Sequence, residues 1–152
     1  MSSRLFQEIR EKRGLAYSVF SFASSYSDAG AFGLYAGTSP QKAPEVAQLL
    51  LDEFHKIADQ GITQDELVRA QGQLAGGSAL ALEDTDTRMS RLGKAEISSG
   101  EFIDYDAALE LLNAVTPARV KALASELAAK EISLVSVCKA DEDALSRILS
   151  RG

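Results

Sequence analysis

The 152-residue chain is poor in the residues that build metal sites and covalent staples: it has one cysteine (Cys138), one histidine (His55) and no tryptophan. A single cysteine excludes an internal disulfide. One histidine with one cysteine cannot furnish the Cys/His sets of a structural zinc site, nor the His₃ or His₂Glu set of a catalytic one. No Cys/His spacing therefore supports a metal site made by this chain alone. His55 lies in Asp52-Glu53-Phe54-His55-Lys56 with no second histidine one helical turn away, so it reads as partly exposed helix surface. Cys138 ends an apolar, β-branched stretch, and only Lys139 stands near enough in sequence to lower its thiol pKa. It reads as a small core hydrophobe rather than a nucleophile.

Other absences narrow the class further. No apolar run approaches the roughly 20 residues of a membrane span. Met1-Ser2-Ser3-Arg4 lacks the apolar segment of a secretory signal, so a reduced, cytoplasmic setting is expected. Basic residues number 16 against 22 acidic ones, a net charge of −6, which argues against a nucleic-acid interface, since that would want a basic stripe. What is present is ordinary for a folded domain: 45% hydrophobic and 25% charged residues. The length suits one domain over residues 1–152, burying roughly 68–70% of its unfolded surface without staples.

Periodicity gives the element order. Leu5, Phe6 and Ile9 recur at helical spacing behind a Ser2 or Ser3 cap, and Gly14 closes that helix. Residues 15–24 read as a strand, with Leu15, Tyr17 and Val19 on one face and Phe20 and Phe22 on the other. A turn around Asp28 and Gly30 returns the chain as a second strand over 31–37, an antiparallel hairpin. Phe32, Leu34 and Ala36 share one face of it; Gly33, Tyr35 and Gly37 share the other, where the glycines leave room for another backbone or a peptide. Val46, Leu49, Leu50, Phe54 and Ile57 stripe a helix over 43–59, with Pro44 in its first turn. Thr63-Gln64-Asp65-Glu66 is a capping box opening a helix interrupted by Gly72, Gly76 and Gly77, which predicts a kink or close helix packing. Helices follow over 85–98, 103–115 and 117–129, the last opened by Thr116-Pro117. Ile132–Cys138 reads as a third strand and Asp141–Leu149 as a final helix. Few strands among many helices suggest an incomplete sheet.

Most polar clusters carry no chemistry. Gly72–Gly77 lacks the Lys-Ser/Thr and preceding strand of a phosphate loop. Glu83, Asp84 and Asp86 fit no calcium loop and read as a solvated helix end. The informative stretch runs from Ser2-Ser3-Arg4-Leu5-Phe6 through Arg10-Glu11-Lys12-Arg13-Gly14-Leu15-Ala16-Tyr17-Ser18-Val19. It delivers an arginine from a helix and a tyrosine from the strand after a glycine turn. If Arg10 and Tyr17 project to one side, they form a clamp for carbonyl oxygens or a developing oxyanion. From the residues alone, a surface ion pair with neighbouring glutamates is the simpler account of Arg10.

That stretch resembles the C-terminal homologous half of the insulinase/pitrilysin zinc metallopeptidases, the inverzincins, which include processing peptidases. Gly61-Ile62-Thr63, Leu82-Glu83, Arg91-Leu92-Gly93 and Val115-Thr116-Pro117 extend the resemblance over nearly the whole chain. It implies an α+β, two-layer half-domain, a mainly antiparallel sheet covered by helices. In this family two halves enclose an extended peptide. The N-terminal half holds zinc through His-x-x-Glu-His, and water activated by that zinc and a glutamate attacks the peptide. The C-terminal half supplies an arginine and a tyrosine seven residues apart, the spacing of Arg10 and Tyr17. The resemblance thus implies that Arg10 and Tyr17 hold substrate backbone and stabilise the transition state. This chain has no His-x-x-Glu-His. The expectation is a zinc metalloendopeptidase parent, with this chain inactive alone and partnered by a zinc-binding half that it lacks. The half-domains of the family begin with a strand and helix upstream of Ser-Ser-Arg-Leu-Phe, so the chain reads as N-terminally truncated, with a sheet incomplete for that reason. A sheet edge left open would admit pairing into a homodimer. The alternative role is a non-catalytic structural or peptide-holding subunit of a processing-peptidase-like complex.

Overall fold

A computed structural model describes residues 3–26, 28–98, 100–137, 139 and 142–149. The fold is α+β. A π-helix (Phe6–Glu11) leads into strands β1 (Ser18–Ser25) and β2 (Gly30–Gly37), then a 3₁₀ turn (Pro40–Lys42). Helices α1 (Ala43–Gln60), α2 (Gln64–Ala81), α3 (Thr85–Ser98), α4 (Tyr105–Asn113), α5 (Pro117–Ala128) and α6 (Glu142–Leu149) complete the order. The chain divides into two compact units, one of Met1–Ser25, Gly30–Gln60 and Ala122–Gly152, the other of Tyr26–Ala29 and Gly61–Lys121.

In the first unit, Ile9, Leu15, Ala16 and Val46 form the buried centre, with Leu5, Val19, Ala36, Leu49 and Leu50 packed around them. Ile9 is completely shielded from solvent, a burial that stabilises by about 1.5–3 kcal/mol. The hairpin register pairs Ser18 with Gly37, Phe20 with Tyr35 and Phe22 with Gly33. Side chains alternate across a strand, so Val19 and Ala36 face the core while Phe20, Phe22 and Tyr35 share the opposite face. On the inner side Phe32 meets Phe54 of α1, ring centroids 5.6 Å apart. Helix α6 packs on α1 and buries Leu145 and Ile148. The Ser125 hydroxyl donates to the Ala58 carbonyl at 2.7 Å and ties α5 to the end of α1.

The second unit is helical apart from the hairpin turn. The capping box forms: the Glu66 amide donates to Thr63 Oγ1, and the Thr63 amide donates to Glu66 Oε2. Helix α2 then runs unbroken through its glycines. A Cβ at Gly72, Gly76 or Gly77 would meet nothing within 4 Å, so the expected close packing at these positions does not occur among the described residues. Helix α2 is held instead by polar ties to α4: Gln71 Nε2 donates to the Leu112 carbonyl, and the Tyr105 hydroxyl to the Ala75 carbonyl. Asp84, Asp104 and Thr116 each accept an amide at the start of the following helix, which accounts for Asp84 in the acidic patch.

The structure corrects the sequence reading in three further places. Residues 132–137 belong to no helix or strand and lie outside the sheet, which has two strands among the described residues. β-Branching favours an extended backbone, but a strand needs a partner ladder. Cys138, Ser2 and Asp141, also named in that reading, fall outside the described residues. Residues 15–17 precede β1 rather than belonging to it, so strand alternation does not govern them: Leu15 is buried and Tyr17 exposed. Finally, the space at Gly33 and Gly37 is taken. A Cβ at Gly33 would lie 2.3 Å from Phe22 Cζ, and one at Gly37 would lie 2.6 Å from Ser18 Oγ.

Candidate functional site

Arg10 and Tyr17 are carried by a segment held by several backbone and side-chain hydrogen bonds. The Phe6 amide donates to Ser3 Oγ at 3.3 Å, so Ser3 is the cap. The helix that follows is wound one residue wider than an α-helix, with the Lys12 amide reaching the Gln7 carbonyl. Such π turns recur at functional sites, and Arg10 lies inside this one. Gly14 closes it at φ +59°, a left-handed conformation that glycine adopts freely. The Leu15 amide then reaches back to the Ile9 carbonyl at 3.0 Å. Thr38 Oγ1 and Lys42 Nζ donate to the Leu15 and Gly14 carbonyls, which pins the turn to the chain beyond β2.

This framework places each candidate next to a buried anchor. Arg10 follows Ile9, and Tyr17 follows Ala16. Among the described residues Arg10 does not make the ion pair with neighbouring glutamates that the sequence favoured. Glu8 is taken by Lys12 and by Arg13, whose Nη1 lies 2.7 Å from Glu8 Oε2. Hydrogen bonds from Lys12 first and Arg13 second pull the Glu8 carboxyl down from 4.5 to about 2. The Arg10 guanidinium instead lies over the Phe6 ring, 4.9 Å from its centroid. Tyr17 is 75% exposed, and its amide donates to the Gly37 carbonyl at 3.2 Å. No hydrogen bond joins the two side chains among the described residues. Both residues are exposed, one before and one after the Gly14 turn.

The sequence reading missed Glu53, which is 4% exposed within α1. Its Oε1 accepts from Lys56 Nζ at 2.5 Å, and this bond raises the lysine pKa. The signal was present, since Val46, Leu49, Leu50 and Glu53 fall at helical spacing on one face. His55 faces the Phe54 ring, centroids 6.1 Å apart. Among the described residues no group of three or more His, Cys, Asp or Glu side chains could hold a metal. The residues described thus do not fit a zinc site.

Residues 1–74 match the family model described as the peptidase M16 inactive domain. Those residues belong to that family. It is 45% identical to an uncharacterized zinc protease of Streptomyces coelicolor, over 97% of this chain and 32% of the relative. An uncharacterized zinc protease of Bacillus subtilis is 39% identical over 90% of this chain and 34% of its own length. The chain therefore spans about a third of the curated relatives it matches. A crystal structure of a peptidase M16 inactive domain from Pseudomonas fluorescens superposes with TM-score 0.70 at 27% identity, covering 82% of this chain and 29% of that one. A chain of complex III₂ from Candida albicans has the same fold, with TM-score 0.73 at 21% identity over 83% of this chain and 30% of that one. No helix among the described residues is long and apolar enough to cross a membrane.

Proposed function

We propose that this M16 inactive domain is the substrate-binding C-terminal half of a cytoplasmic zinc-dependent endopeptidase, the later part of that half, and inactive alone. Arg10 and Tyr17 hold the backbone of an extended peptide and polarise its scissile region. The observation that carries this reading is the turn itself. Two hydrogen-bond donors stand exposed on a preorganised scaffold, and the Glu8 carboxylate is occupied by Lys12 and Arg13. Donors fixed in advance cost no reorganisation when charge develops on a carbonyl oxygen. Zinc and the base belong to the rest of the parent protein, an N-terminal half like the one the resemblance implies. The names of the relatives support that assignment.

The rival reading is a non-catalytic subunit that holds peptide or builds a processing-peptidase-like complex, including a homodimer through the open hairpin edges. The description of the family as an inactive domain is compatible with it. One experiment separates the two. The full-length gene product is assayed for peptide cleavage with and without a chelator. Chelator-sensitive cleavage is expected; a full-length protein that binds peptide but never cleaves it would establish the rival.

A further inference from the structure

The outer face of the hairpin carries a continuous row of aromatic rings that the fold leaves uncovered. Phe20 and Tyr35 are cross-strand partners stacked at 4.8 Å with 27° between their planes, each about half exposed (51% and 48%). Phe22 lies 6.5 Å from Phe20 and folds over Gly33. At the other end, a Cβ at Gly37 would lie 3.5 Å from Tyr17 Cε2 and 3.6 Å from the Tyr35 hydroxyl. The row runs from Phe22 through Phe20 to Tyr35, and Tyr17 stands at the same end of the hairpin, beside Gly37.

We propose that Phe20 and Tyr35 form a binding shelf for an aromatic side chain of the same extended peptide that Arg10 and Tyr17 hold. The proposal rests on the peptide-holding reading of Tyr17 and adds a substrate preference to it. Three observations select this occupant. From Gly14 to Gln41 the only charged residue is Asp28, at the hairpin turn, so this stretch offers no ion-pair partner on the face to a charged side chain. The rings are already packed on one another and on Gly33, so little rotamer freedom remains to be lost on binding. The area is also small. Three half-exposed rings present about 300 Å² at 150–250 Å² per aromatic, well below the ~800 Å² per partner of a stable dimer. One or two side chains of a single peptide fit that area; a second copy of the chain does not.

The test uses the absence of tryptophan from the chain, because emission then comes from the probe alone. The probe is acetyl-Ala-Ser-Ala-Trp-Ala-Ser-Ala-amide, and its alanine counterpart is followed by peptide NMR. Titration with the 152-residue chain is expected to give a saturable blue shift of tryptophan emission and weaker binding of the alanine peptide. Phe20→Ser is expected to weaken the tryptophan peptide about 10-fold, the scale of one apolar pocket contact, and to leave the alanine peptide unchanged. Phe20→Leu keeps the hairpin's apolar content and is expected to show a smaller loss; it decides the matter if Phe20→Ser fails to fold. Unshifted emission, or equal affinity in the folded Phe20 variants, overturns the shelf. Concentration-dependent dimerisation abolished by Phe20→Ser assigns the face to a second copy and overturns it too, as does a full-length parent that leaves the probe unshifted. The underlying reading fails separately: Arg10→Ala would then leave both peptides unaffected while Phe20→Ser still discriminated between them.

Discussion

The Leu15 amide donates to the Ile9 carbonyl at 3.0 Å, six residues back, across a turn closed by Gly14. That bond joins two buried residues and leaves the exposed Arg10, directly after Ile9, and Tyr17, two residues after Leu15, at the two ends of one turn. The site's geometry is thus a consequence of core packing: moving Ile9 or Leu15 would move the donors.

Gly14 is the position where that geometry is most easily broken. Its φ of +59° is open to glycine and strained for any residue with a Cβ, although a Cβ there would meet no atom within 4 Å. Gly14→Ala should therefore destabilise the chain by conformational strain alone, about 1–2 kcal/mol. Urea unfolding should show a lower midpoint with an unchanged m-value.

The Glu8 network makes an acid-sensitive contribution to the same helix. Its carboxyl has a folded pKa of about 2 against an ordinary 4.5. A depressed pKa means that the native state favours the ionised form. The contribution is therefore complete above 4.5 and is lost as pH falls from there towards 2. Glu8→Gln should flatten the stability–pH curve in that window and leave the slope at neutral pH unchanged, as followed by thermal melts across pH.

Glu53 and Lys56 should respond asymmetrically. Glu53 is buried, whereas the Lys56 side chain is half exposed. Lys56→Met strands a buried acceptor and should cost about 1–3 kcal/mol. Glu53→Leu removes the buried charge and frees Lys56 to turn to solvent, so stability should hold or rise. The raised Lys56 pKa adds a basic limb. Its contribution is complete below the ordinary lysine value and lost as pH climbs through the folded one, a loss that Glu53→Leu should abolish. Chemical denaturation of both variants at neutral and alkaline pH reads each outcome.

Much of this was legible in the sequence because local signals agreed with the fold. Thr63-Gln64-Asp65-Glu66, Thr116-Pro117 and the Gly14 stop each specify a helix end by their own chemistry, and each forms as read. The hairpin followed from two aromatic runs flanking a turn. What was not legible depends on contacts remote in sequence. Residues 132–137 carry a strand's composition, but pairing is a property of a partner. Gly33 read as open space, because nothing local says that the Phe22 ring will cross the strand to cover it. Arg10 read as an ion-pair residue, because proximity in sequence cannot say which of three nearby cations Glu8 takes. Glu53 falls on the apolar stripe by spacing, a position that the sequence reading did not weigh.

The central claim is that Arg10 and Tyr17 bind substrate without contributing to the metal. It is tested most directly by measuring kcat and bound zinc together in Arg10→Ala and Tyr17→Phe variants of the full-length parent. The prediction is a kcat lowered by about 10²-fold, the scale of one lost oxyanion donor, with zinc content equal to that of the wild type. Wild-type turnover in both variants, or turnover lost only in step with zinc, would contradict it.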